Sequence, residues 1–103
     1  MTIDAAKIAE LKAAHGDVFE ITIGDESFVV KRSRPEYKRF RAEQSDDRTK
    51  ADALENFARH CLVWPAPEEI TRIFDERPAL ADVIGGHLLE IHGAAQKGEA
   101  KKL

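Results

Sequence analysis

The stretch Arg48 to Pro67, RTKADALENFARHCLVWPAP, limits what this chain can fold into more than any other. Its apolar residues fall at Ala51, Leu54, Phe57, Ala58, Cys61 and Leu62. Steps of three and four place such side chains on one stripe of an α-helix. Asp52, Glu55, Asn56 and Arg59 occupy the other side, as on a solvated face. Asp46 or Asp47 is placed to cap the first free N–H groups. Pro65 and Pro67 end the helix after Trp64, because proline cannot donate and pushes its predecessor out of the helical region. A stripe this wide needs covering, so the stretch is predicted to be the central helix of one core.

The cover must come from the flanking sequence. Thr2 or Asp4 caps a short first helix with Ile3, Ile8 and Leu11 as apolar positions, and Gly16 stops it. In DVFEITI, Phe19, Ile21 and Ile23 alternate with Val18, Glu20 and Thr22, the period of a half-buried strand. Gly24-Asp25-Glu26 is turn chemistry, and SFVVKR resumes the β pattern, which predicts an antiparallel hairpin lying on the central helix. Ser33, Pro35 and Glu36 open a second helix as a capping box, running to about Gln44 with Tyr37 and Phe40 inward. After Pro67 comes a short helix with Ile70, Ile73 and Phe74 inside. Ala79 to His92 is the last helix, weakened by Gly85 and Gly86 at about 1 kcal/mol each. The expected architecture is α+β. An N-terminal helix and β-hairpin pack on a bundle of about four short helices, in one domain over 1–92 with a flexible tail over 93–103.

Composition narrows the function classes. The net charge of -3 gives no overall pull toward nucleic acid or anionic lipid. No apolar run reaches the ~20 residues of a membrane span, and the N-terminus has no apolar leader. The single cysteine, Cys61, has no disulfide partner, which fits a reducing cytoplasm. His60-Cys61 lacks zinc-type spacing, and neighbours on a helix diverge by about 100°. His87 and His92 do not share a face cleanly. The acidic pairs Asp46-Asp47 and Glu68-Glu69 stand at helix starts, where negative charge is favoured. With no phosphate loop and no catalytic motif, neither a cofactor nor an enzyme is expected.

Two features point to binding. Lys31 to Arg41 holds six basic side chains against Glu36 alone, and Arg34, Lys38 and Arg41 form one helical strip beside Tyr37 and Phe40. Basic residues interleaved with aromatics suit either an acidic protein surface or, as the alternative, a small nucleic-acid-binding regulator using helix 34–41. Trp64 and the stripe Leu80, Ile84, Leu88 and Ile91 either complete the core or leave an apolar groove for a partner helix.

The run from Phe28 to Leu80 resembles the small tail assembly chaperones of long-tailed bacteriophages and prophages. The residues that carry the likeness are R-P-E-Y-K-R-F-R (Arg34–Arg41), K-A-D-A-L-E (Lys50–Glu55), Cys61–Pro65 and the E-R-P turn Glu76–Pro78. The resemblance implies a non-enzymatic protein of the host cytoplasm, absent from the finished virion. Its expected partners are the tape measure protein and the tail tube subunit, with no nucleic acid and no membrane, and a homo-oligomer is compatible with it. Many such chaperones are made in two lengths through a ribosomal frameshift near the 3′ end of the gene, and consecutive lysine codons, as for Lys101-Lys102, can form a slippery A-rich run.

Overall fold

The computed structural model describes residues 2–94 and Lys102. Its elements are α1 (Ala5–His15), β1 (Val18–Ile23), β2 (Glu26–Lys31), α2 (Arg34–Gln44), α3 (Ala53–Cys61), β3 (Leu62–Trp64), α4 (Pro67–Glu76) and α5 (Ala79–Leu89). This is the expected α+β arrangement, with a strand the sequence reading lacks. Of the tail predicted over 93–103, residues 95–101 and 103 lie outside the described residues.

Local chemistry sets most boundaries. Asp4 accepts the Lys7 N–H at 2.8 Å and caps α1, and Gly16 ends it at φ +76°. The hairpin register pairs Val18 with Lys31 and Ile23 with Glu26. In α2, Ser33 Oγ accepts the Glu36 N–H at 3.3 Å. The predicted return bond from Glu36 does not form: the Ser33 N–H donates instead to His92 Nε2 at 3.0 Å.

The central helix is shorter than predicted. Asp46 does not cap it but folds onto its own loop, accepting the Arg48 N–H at 2.9 Å. Thr49 Oγ1 donates to the Glu43 carbonyl at 2.7 Å and closes off α2. The chain then makes a 3₁₀ turn over Lys50–Asp52, which leaves Ala51 exposed, and α3 begins at Ala53. At the other end the stretch Leu62–Trp64 leaves the helix and pairs antiparallel with β2, Val30 opposite Leu62 and Val29 opposite Trp64, across a bulge. The sheet order is β1-β2-β3.

That third strand makes β2 central. Phe28 and Val30 face the main core with Ile21, Phe40, Phe57, Ala58, Cys61, Ile70, Ile73 and Phe74. Val29 alternates to the sheet's second face and is also buried, as is Leu11 of α1, which packs on β1. A strand covered on both faces reads as a continuous apolar run, and F-V-V is one.

α5 closes the core against α3. Its Leu80, Ile84 and Leu88 belong to the central cluster, Ile84 and Leu88 with no exposed surface. Of the two expectations for this stripe, Leu80, Ile84 and Leu88 complete the core against α3 and leave no apolar groove along them. The two glycines of α5 differ in kind. A Cβ on Gly85 would sit 2.6 Å from Leu54 Cδ1 and 3.2 Å from the Leu54 carbonyl oxygen, whereas one on Gly86 would meet nothing within 4 Å. Gly85→Ala is therefore expected to lower the unfolding free energy by about 1–3 kcal/mol through overpacking. Gly86→Ala is expected to raise it by up to about 1 kcal/mol through helix propensity. Parallel urea titrations check both; equal effects of the two would refute the close α3–α5 approach.

Candidate functional site

α2 opens at Ser33 and presents a charged outer face while Phe40 enters the core. Arg34, Lys38 and Arg41 are all exposed on that face, as their spacing of four and three predicts. None of the three has a carboxylate partner among the described residues. Several basic side chains elsewhere do: Arg77 grips Glu26 at 2.7 and 2.9 Å, Arg72 reaches Glu69 at 2.7 Å, and Arg59 reaches Glu55 at 3.0 Å. The Arg77 guanidinium holds the Glu26 carboxyl below its ordinary range. The strip on α2 is thus a row of three positive charges left uncompensated among the described residues.

The strip opens at its N-terminal end into a hollow of about 550 Å³, lined by Arg32, Arg34, Tyr37, Ile91, His92 and Gly93. The chain reaches it from two sides. Arg32 follows β2 and lies over the Phe19 ring, 5.4 Å from its centre, with Asp17 3.6 Å away. Ile91 and His92 come from the turn Glu90–Ala94 that follows α5. His92 is fixed in one tautomer. Its Nε2 accepts from Ser33, so Nδ1 carries the hydrogen and donates to the Leu88 carbonyl at 2.7 Å. Its ring stacks on Tyr37 at 5.8 Å and leans on Phe57 at 5.1 Å. One imidazole therefore ties the start of α2 to the end of α5 and holds the hollow's floor.

Of the residues expected to bind a partner, the hollow brings together Arg34 and Ile91. Lys38 and Arg41 continue the strip along α2. Trp64 does not join them: it is half-buried on β3 opposite Val29. Leu80, Ile84 and Leu88 are core and cannot be presented to a partner. His92, Tyr37 and Arg32 were not identified as site residues from sequence. The basic run that contains Arg32 and the aromatics beside the strip, Tyr37 among them, hinted at two of the three; nothing pointed to His92.

Among the described residues, catalytic groupings are sparse. Cys61 is fully buried, and desolvation, with the Glu36 charge adding to it and Lys31 opposing, pushes its thiol up to about 12. A thiol so placed is not a nucleophile at neutral pH. Glu36 Oε1 accepts from Arg39 at 3.2 Å, and its buried Oε2 lies 3.4 Å from His60 Nδ1 without a hydrogen bond. Among the described residues no three His, Cys, Asp or Glu side chains come together as metal ligands. Among them, too, no helix is long and apolar enough to cross a membrane.

No curated protein matches the sequence. A solved structure of an uncharacterised protein from Bacillus stearothermophilus is similar at 29% identity, with a TM-score of 0.77, over 91% of this chain and 99% of that one. The family described as Domain of unknown function (DUF6848) matches residues 11–101, nearly the whole of the fold just described, and the chain belongs to that family.

Proposed function

We propose that this chain is a non-enzymatic tail assembly chaperone of long-tailed bacteriophages or prophages. It acts in the bacterial cytoplasm, shielding the tape measure protein while tail tube subunits polymerise around it. The likeness of Arg34–Arg41, Lys50–Glu55, Cys61–Pro65 and Glu76–Pro78 to such chaperones supports the reading. The observation that carries it is the uncompensated strip Arg34, Lys38 and Arg41, opening into a hollow whose walls are part aromatic and part apolar. Acidic stretches of a partner are steered by the strip, and neighbouring apolar side chains rest against Tyr37 and Ile91.

The test is co-expression with the product of a very long coiled-coil reading frame beside the gene. The native chain is expected to keep that product soluble. The triple variant Arg34→Glu, Lys38→Glu, Arg41→Glu changes only exposed side chains, so its melting should match the native protein. Its affinity for the partner should fall by about tenfold or more, as expected when steering charges are reversed. Undiminished solubilisation by the folded variant would refute the placement. Binding to mixed DNA and RNA that collapses steeply with salt would instead favour the nucleic-acid-binding regulator.

A further inference from the structure

A second hollow, of about 330 Å³, lies between the end of α1, the end of β2, β3 and the start of α4. It is a different place from the strip: Lys31 lines this one and its chain neighbour Arg32 lines the other. Four basic side chains reach it: His15, Lys31, Arg59 and His60. No aspartate or glutamate lines it, in a chain with 19 acidic residues against 16 lysines and arginines. The remaining wall is mostly apolar, with Leu62 and Val63 half-buried there.

The basic groups are braced from outside the hollow. Arg59 is held by Glu55 at 3.0 Å, by Thr71 Oγ1 at 3.3 Å and by the Phe74 ring, 5.0 Å from its centre. His60 sits against Arg39 at 2.8 Å and near Glu36 at 3.4 Å. Lys31 is half-buried and has no carboxylate partner among the described residues.

The backbone adds a third feature. β3 is an edge strand: β2 bonds one side of it, and among the described residues no strand bonds the other. Val63, between the paired residues Leu62 and Trp64, sits at the bulge and lines the hollow. Three residues with a bulge make a short edge, with room for one or two backbone hydrogen bonds to an extended segment.

We infer that this hollow is a docking site for an extended peptide of a partner protein, one in which an acidic side chain stands two residues from an apolar one, so that both point to the same side of the strand. The carboxylate meets Lys31, with Arg59 and His60 beside it. The apolar side chain rests against Leu62 and Val63, and the peptide backbone lies along the outer edge of β3. The inference goes beyond the chaperone reading and does not depend on it.

The probe is a blocked pentapeptide, valine-threonine-aspartate-threonine-valine, which puts aspartate and both valines on one face; it is titrated into the ¹⁵N-labelled full chain and followed by amide shifts. The expected result is saturable shifts at Val63 and Thr71, with binding weakened about tenfold when asparagine replaces aspartate, the usual worth of a charge-assisted contact. Lys31→Gln should weaken the aspartate peptide similarly and leave the asparagine peptide unaffected. The triple Glu variant of the α2 strip should bind the peptide as the native chain does, which separates this site from the chaperone proposal. No shifts at millimolar peptide, equal binding of both peptides, or shifts confined to Arg34–Arg41 would overturn the inference. So would inorganic phosphate producing the same shifts with equal affinity, which would mark an ion site rather than a peptide site.

Discussion

Phe57→Ala is expected to lower the unfolding free energy by about 3–5 kcal/mol, the range for truncating a large buried aromatic. Phe57 keeps only 2% of its surface exposed and stands where the aromatic side chains meet. Its ring lies 5.1 Å from that of Phe40, 5.1 Å from His92 and 6.2 Å from Tyr37. Removing it loses the transfer energy of the ring, opens a cavity, and breaks aromatic pairings worth about 0.5–1.5 kcal/mol each. Against a total of about 5–15 kcal/mol for a domain this size, the loss is a large fraction. It also reaches the surface. His92 and Tyr37, which line the hollow beside Arg34, rest on Phe57, so the variant should loosen that site before it unfolds. Urea unfolding followed by circular dichroism gives the first quantity, and amide exchange at Ser33 gives the second. An unchanged transition would remove Phe57 from the centre of the fold.

Much of this architecture is readable from the chain, because local rules and global packing agree there. Phe19, Ile21 and Ile23 alternate because one face of β1 is covered and the other is not. Ser33 and Pro35 mark the start of α2 with chemistry that needs no distant partner. The strip of Arg34, Lys38 and Arg41 is equally legible, since exposed charges at helical spacing must line up. What escaped reading depends on a partner far along the chain. His92 acquires its role from Ser33, 59 residues away, and nothing around either residue announces the bond. Leu62–Trp64 is too short to show an alternation and becomes a strand only because β2 lies beside it. Asp46 is a sound cap by type, but its side chain is spent on the Arg48 N–H of its own loop.

The same limit explains the misplaced groove, and one substitution tests the correction. A stripe such as Leu80, Ile84 and Leu88 announces an apolar face and leaves open whether anything covers it. Ile84→Asp is expected to abolish the cooperative unfolding transition. Ile84 has no exposed surface, so the substitution first forfeits about 2–5 kcal/mol of packing. It then places a carboxyl among Phe57, Phe74 and Leu88 with no cation in that cluster to pair it. Kept ionised, the group costs several kcal/mol more; kept protonated, it still lacks a hydrogen-bond partner, and its raised pKa makes the folded state weaker as pH rises. The sum matches or exceeds the stability available to the domain. Val83→Asp, one residue away, puts the same carboxyl at a position 44% exposed and is expected to change stability by no more than about 0.5 kcal/mol. Thermal melts of the pair separate the two placements of α5. A face that opened to solvent as a groove would tolerate aspartate at both positions, whereas a face closed by α3 tolerates it only at Val83.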